Sequence, residues 1–338
     1  MHLGLFKTNY LGDNVVFLPV VQELRRRYPD WRLTLVTAPR VAELFAADVA
    51  EADRRAIEPE AMRRLWRTPW RFARWAADLR ARKFDASLVG YDQSSSAHAL
   101  AWVAGGRVRV GGAGLRIRLQ GTLTRGVTHQ PGWSIAQWNW EIARAGLGDL
   151  GCKDWPATPP VPDLRHLGGG VTREPRRVII HPGSKWHYTQ WPVERYAELA
   201  GRLARDHEVL WIRAPEVAAV PLPDGVREIA PAGLDALVRT LASAALFVGN
   251  NSGPMHVASA LGTPLVAITG PTDFPWDPSW HRERATVLRW PALECQPCDR
   301  VQYAPGRCAR ATEPLACLRR WSVDAIEAAC RVRRAEGA

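Results

Sequence analysis

The sequence predicts an α/β fold built from two doubly wound parallel-sheet domains. Strand and helix patterns alternate from the N-terminus, a proline- and glycine-rich segment interrupts them near the middle, and the same alternation then restarts. A chain of 338 residues also exceeds what one ordinary hydrophobic core organises. The expected boundaries are an N-terminal domain at 1–160, a linker at 161–176 and a C-terminal domain at 177–338.

In the first half, MHLGLFKTN is a short apolar run ending in the turn YLGDN, after which VVFLPVVQELRRRYP carries helical spacing. WRLTLVTAP then reads as a strand and VAELFAAD as a helix, the βαβα order of a parallel sheet with crossover helices. Pro69 interrupts the segment from Glu60 to Lys83, and with Thr68 as cap a helix is expected from there to about Arg82. Phe72, Ala76 and Leu79 share one of its faces, and Arg71, Arg74 and Asp78 another, as in an amphipathic helix over a sheet. A membrane-surface role for its Arg and Trp residues is the competing reading. FDASLVGYD follows as a strand, and AHALAWVAGG and IAQWNWEIARAGLG as helices.

Between Cys152 and Arg177 the prolines and a triple glycine exclude a helix or central strand, which marks a linker or long crossover. RRVIIHPGS then reads as strand into turn and WPVERYAELAGRLARD as a helix with Pro192 in its first turn. HEVLWIRA is a strand, LDALVRTLASA a helix, ALFVGNNSG strand into turn, PMHVASALG a helix and TPLVAITGPT strand into turn. Two such domains place a ligand cleft between the carboxyl ends of both sheets.

No apolar segment approaches the roughly 18 to 20 residues that span a bilayer. The N-terminus lacks the pattern of a secretory leader, so a soluble cytoplasmic protein is expected. A net charge of +11 calls for an anionic partner: nucleic acid, a membrane surface or a phosphorylated substrate. The charge is mostly arginine, with lysine only at 7, 83, 153 and 185, and a solvated basic surface without a dedicated partner is the plain alternative. Six cysteines stand at 152, 295, 298, 308, 317 and 330; without a secretion signal they point to a metal site or reduced thiols rather than disulfides.

Three strand-to-helix turns have the composition of ligand sites. In GNNSGPMH, Ser252 is a natural N-cap, Gly253 lets a ligand approach the backbone, and Pro254 is harmless in a first turn. Exposed amides and the helix dipole there favour a phosphate, although the same residues also simply start a helix, and a histidine such as His256 is ordinarily packed in a core. In HPGSKWHYTQWP, the Gly183–Ser184 turn exposes amides and Lys185 offers a cation to a diphosphate; the alternative is a loop capped by Thr189. In YLGDN, Asp13 stands before a helix, where it is either an N-cap or a carboxylate that takes a proton from a substrate hydroxyl.

Taken in order, LGDNVVFLPVVQELRRRYP, YDQSSSAHALAWVAGGRVRVGG, IIHPGSKWHYTQWPVERYAELAGRLA and FVGNNSGPMHVASALGTPLVAITGPT resemble glycosyltransferase family 9, the ADP-heptose:lipopolysaccharide heptosyltransferases. The resemblance covers nearly the whole chain. It implies a GT-B architecture, two Rossmann-like domains facing a central cleft, with acceptor bound by the first and nucleotide sugar by the second. It also implies inverting transfer, with Asp13 as the base and Gly12 shaping its turn. Gly183, Ser184, Asn251, Ser252, Gly253 and His256 fall where relatives hold the donor's ribose and diphosphate.

The implied partners are an ADP-heptose donor and an anionic glycan or glycolipid acceptor, most naturally the lipopolysaccharide inner core, with peripheral contact at the inner membrane and no nucleic acid. No cofactor is needed for the chemistry if amides, a helix N-terminus and basic groups neutralise the leaving diphosphate. Two positions depart from the family. Thr189 stands where a lysine is usual, leaving Lys185 or an arginine to substitute, and Asn251 stands where an aspartate is common. Cys295, Cys298, Cys308 and Cys317 begin as CxxC and suit tetrahedral zinc or iron, and an autotransporter-modifying branch of the family carries cysteine-bound iron. The later gaps match no zinc-ribbon spacing, and reduced structural cysteines are the other reading.

Overall fold

The computed structural model describes residues 1–58, 68–93, 95–116, 119–168, 170–291 and 293–337. The first part of the segment from Glu60 therefore lies outside the described residues. The chain divides into two compact units, Met1–Asp163 and Leu164–Ala338. The segment 161–176 contains this boundary, and its last residues already belong to a strand that begins at Glu174.

The first unit runs β1 (His2–Lys7), α1 (Leu11–Val15), α2 (Leu18–Arg27), β2 (Arg32–Thr37), β3 (Arg54–Ala56), α3 (Pro69–Ala81), β4 (Ala86–Val89), α4 (Ser95–Ala104), β5 (Val108–Ala113), β6 (Arg125–Thr128) and α5 (Ile135–Asp149). Its sheet has the order β3-β2-β1-β4-β5-β6 with every pair parallel. The central strands are buried on both faces, as continuous apolar runs require. On α5, Trp138 and Trp140 are fully buried, and their indole N–H groups donate to the carbonyls of Val127 and Pro156 at 2.9 and 2.7 Å.

Two local expectations need correction here. The helix expected from Val15 onward begins at Leu18 as α2, with Pro19 in its first turn, and α1 lies within the stretch read as the turn YLGDN. VAELFAAD forms 3₁₀ turns over Pro39–Phe45 rather than an α-helix. Thr68 does occupy the cap position of α3, but its side chain makes no capping bond. On α3, Leu79 is buried in a core cluster against which Phe72 also packs, while Asp78 pairs with Arg55 and Arg82 at 3.1 and 3.4 Å.

The second unit runs β7 (Glu174–His181), α6 (Val193–Leu203), β8 (Glu208–Ile212), β9 (Val226–Ile229), α7 (Leu234–Ala242), β10 (Ala244–Asn250), α8 (Gly253–Ala260), β11 (Leu265–Ile268), β12 (Ala285–Leu288), α9 (Ala316–Arg319) and α10 (Val323–Gly337). Its sheet order is β12-β11-β10-β7-β8-β9, again all parallel. Pro192 is the residue before α6 rather than a member of its first turn. No helix among the described residues is long and apolar enough to cross a membrane.

Counted from its own first strand, each unit has the Rossmann order 3-2-1-4-5-6. The winding direction reverses between β1 and β4 in the first unit and between β7 and β10 in the second. The turns leaving those strands diverge, so each sheet opens a crevice at its carboxyl edge beside that pair.

Candidate active site

The crevice of the first unit collects residues from the ends of β1 and β4. Lys7, the last residue of β1, is fully buried. Its ammonium donates to Asn9 Oδ1 at 3.2 Å, lies 3.5 Å from Asp13 Oδ1 and donates to the Tyr91 carbonyl. Asp13 does not cap a helix: Tyr10 takes that position and Asp13 sits within the first turn of α1, beside the buried Gly12. Its side chain is 14% exposed, so the carboxylate retains one opening. Burial pushes its pKa up, the Lys7 charge pulls it down, and the Asp92 carboxylate pushes it up again.

Two buried asparagines hold these turns. Asn14 donates to the carbonyls of Tyr10 and Asn9 at 2.8 and 3.2 Å and accepts from Thr37 Oγ1 at 3.0 Å. Asn139 accepts from the Tyr91 amide at 2.7 Å, and Thr8 Oγ1 donates to Asp92 at 3.2 Å.

The crevice of the second unit is formed by the turns after β7 and β10. At Gly183 a Cβ would fall 2.5 Å from Ala214 Cβ and 2.4 Å from Glu216 Oε1, so only glycine fits. Ser184 Oγ lies 2.7 Å from Thr189 Oγ1 and 3.3 Å from the Asn251 carbonyl, and Thr189 Oγ1 also donates to the Trp186 carbonyl at 2.7 Å. Thr189 thus locks the loop from inside, where it presents no cation. Lys185 is exposed, its ammonium 4.3 Å from the Trp186 ring centre.

Asn250 is the hub of this crevice. It accepts from the Trp191 amide at 2.9 Å and the Tyr196 hydroxyl at 3.0 Å, and donates to the Pro182 carbonyl at 2.6 Å. Asn251 donates to the Trp276 carbonyl at 2.8 Å, an arrangement that an amide satisfies and a carboxylate would oppose. Ser252 stands at the N-cap of α8, yet its hydroxyl makes no capping bond and is buried without a partner among the described residues. The first turn from Gly253 is therefore not satisfied by its cap, the condition in which a helix N-terminus favours an anion. His256 and His181 are both buried with Nδ1 unpartnered among the described residues, and burial pushes each pKa down to about 4.

Gly12 and Asp13 are thus together in the first unit, and Gly183, Ser184, Asn251, Ser252, Gly253 and His256 surround the second crevice with Lys185 on an exposed part of its loop. Sequence reasoning missed Lys7, Asp92, Asn14, Asn139 and Asn250. The only signal for Lys7 was a lone cation closing an otherwise apolar strand.

The possible metal at Cys295, Cys298, Cys308 and Cys317 finds no support among the described residues. All six cysteines are free thiols, and no group of three or more His, Cys, Asp or Glu among the described residues is set to hold an ion. Cys317 is built into the core of the second unit, where burial pushes its thiol up to about 12, and Cys308 Sγ accepts from the Leu315 amide at 3.4 Å.

Two Rossmann units, each with a polar crevice at its strand-order reversal, define a GT-B protein. The family model for glycosyltransferase family 9 (heptosyltransferase) matches residues 72–306, and the chain belongs to that family. It is 26% identical to lipopolysaccharide heptosyltransferase 1 of Pseudomonas aeruginosa, over 88% of this chain and 86% of that protein. It is 25% identical to lipooligosaccharide heptosyltransferase 2 of Campylobacter jejuni over 142 residues, which is 38% of this chain and less than half, 44%, of that protein. The fold is shared with the E. coli heptosyltransferase WaaC solved with ADP-2-deoxy-2-fluoro heptose, at a TM-score of 0.71, 19% identity and coverage of 98% and 99% of the two chains.

Replacing Asn250 with Ala removes three hydrogen bonds and leaves buried groups unpaired, so a loss of roughly 2–4 kcal/mol is expected in urea unfolding. The two histidines predict acid sensitivity. Between pH 6.5 and about 4 the unfolded chain takes up protons that buried His181 and His256 refuse, so stability is lost as pH falls through that window. Each contributes on the order of 3 kcal/mol. Unfolding midpoints from pH 7 to 4 should therefore fall more steeply for wild type than for His256→Gln, a comparison that cancels the opposing effect of Asp299, pushed up to about 7 by burial.

Proposed function

We propose that the chain is an inverting heptosyltransferase that moves heptose from ADP-heptose to an acceptor glycan, the inner core of lipopolysaccharide. The observation that carries this reading is the partly open carboxylate of Asp13 in the first unit of a family 9 chain whose second unit offers an uncapped helix N-terminus. Asp13 accepts the proton of the acceptor hydroxyl as that oxygen attacks the anomeric carbon, and the bond from that carbon to the diphosphate oxygen breaks. The leaving ADP carries its negative charge to the first turn of α8 and to Lys185, which stands in for the lysine that Thr189 replaces. Gly183 and Ser184 shape the floor under the diphosphate, and Asn251 contacts the donor through an amide oxygen rather than a carboxylate.

His256, neutral at physiological pH, offers a hydrogen bond without a competing charge. The chemistry needs no cofactor in this scheme. A net charge of +11 suits work beside an anionic glycolipid at the cytoplasmic face of the inner membrane.

The test is incubation of the purified protein with ADP-heptose and a heptose-free inner-core acceptor, followed by mass spectrometry of the glycolipid. One added heptose with acceptor-dependent ADP release is expected. Donor consumed without acceptor would instead indicate a hydrolase or epimerase on the same fold. Asp13→Asn should lower turnover by about 10²- to 10⁴-fold while ADP still binds; turnover at the wild-type rate would remove Asp13 as the base.

A further inference from the structure

We infer that Lys7 is a positioning residue for Asp13: its buried ammonium, anchored by Asn9 and the Tyr91 carbonyl, lies against Oδ1 of Asp13 and holds the carboxylate in place. The inference rests on the proposed role of Asp13 as base and says how the fold prepares that base.

Burying an ammonium costs several kcal/mol unless its donors are met, and an apolar side chain would fill the end of β1 more cheaply. Lys7 is nevertheless fully buried, and the three protons of its ammonium face three oxygens: Asn9 Oδ1, Asp13 Oδ1 and the Tyr91 carbonyl. The surroundings are shaped for its stem as well as its charge. A Cβ at Gly90 would lie 2.8 Å from Lys7 Cδ, so the residue after β4 must be glycine for the lysine to lie there. The Tyr91 carbonyl is held in turn, because the amide of the same residue donates to buried Asn139.

The charges that face Asp13 come from both strand ends. Lys7 lies 3.5 Å away, at the outer limit of a hydrogen bond, so its pull on the carboxylate is real and incomplete. Asp92, buried and held by the Thr8 hydroxyl, acts from the β4 side with the opposite sign. The phenol ring of Tyr91 lies under the ammonium at 5.6 Å.

The test uses the full chain with aspartate carboxyls labelled in ¹³C, the Asp13 signal being the one lost in Asp13→Asn. Its titration midpoint should rise by about one unit or more in Lys7→Met and fall in Asp92→Asn. Opposite shifts are something a purely structural role does not produce. Should Lys7→Met fail to fold, Asp92→Asn and Asn9→Ala carry the test, the latter loosening the ammonium and raising the midpoint by less.

In transfer assays the acidic limb of kcat/KM should move in the same directions with KM for ADP-heptose unchanged. Midpoints unmoved in the folded variants, or an upward shift in Asp92→Asn, would overturn the inference. Opposite shifts in a protein that transfers no heptose would keep the charge cluster and retire the proposed function instead.

Discussion

Everything that gives this chain chemistry follows from the reversal of winding at the β1/β4 and β7/β10 pairs. Parallel strands must be joined by crossovers, and a right-handed crossover that changes direction carries the next helix to the other face of the sheet. At that point the turns leaving the two strands part. The polar residues of both crevices occupy those turns: Lys7 to Asp13 with Tyr91 and Asp92 in one unit, His181 to Ser184 with Asn250 to Gly253 in the other. The fold makes the openings, and the side chains in them are what this family member adds.

An opening at the edge of a sheet exposes backbone groups that the sheet itself cannot pair. Asn14, Asn139 and Asn250 answer that need from inside, each fully buried and each bonded to backbone beyond its own strand or helix. A buried amide is rigidifying where it is paired, so the bonds of these residues fix the turns of both crevices. Lys7 belongs to the same logic with a charge added. Thr189 shows the converse case, a position turned inward to brace a loop.

The inner strands were legible in the sequence because strands covered on both faces read as unbroken apolar runs, as LGLF in β1, VII in β7 and LFV in β10 do. β3, β6 and β9 were not, since RRA, RGVT and VREI mix charge into short edge strands. β5 was hidden by its paired glycines. The three ligand turns could be found because each follows a legible strand, but the part each residue plays depends on where a helix starts to within one residue. Asp13 could equally have been read as a cap, and Ser252 occupies a cap position without making the bond. The cysteine spacing left a metal and reduced structural thiols both open, and burial of Cys317 in the core is a three-dimensional fact that spacing does not contain.

The central claim is that the crevice beside β7 and β10 holds the nucleotide diphosphate. The most direct measurement is calorimetric titration of ADP into the full-length protein and into Gly183→Val, where the added side chain would collide with Ala214 and fill the turn. Saturable one-to-one binding to the wild type, abolished in a variant that still unfolds cooperatively, is the expected result. Equal affinity in the two proteins would contradict it.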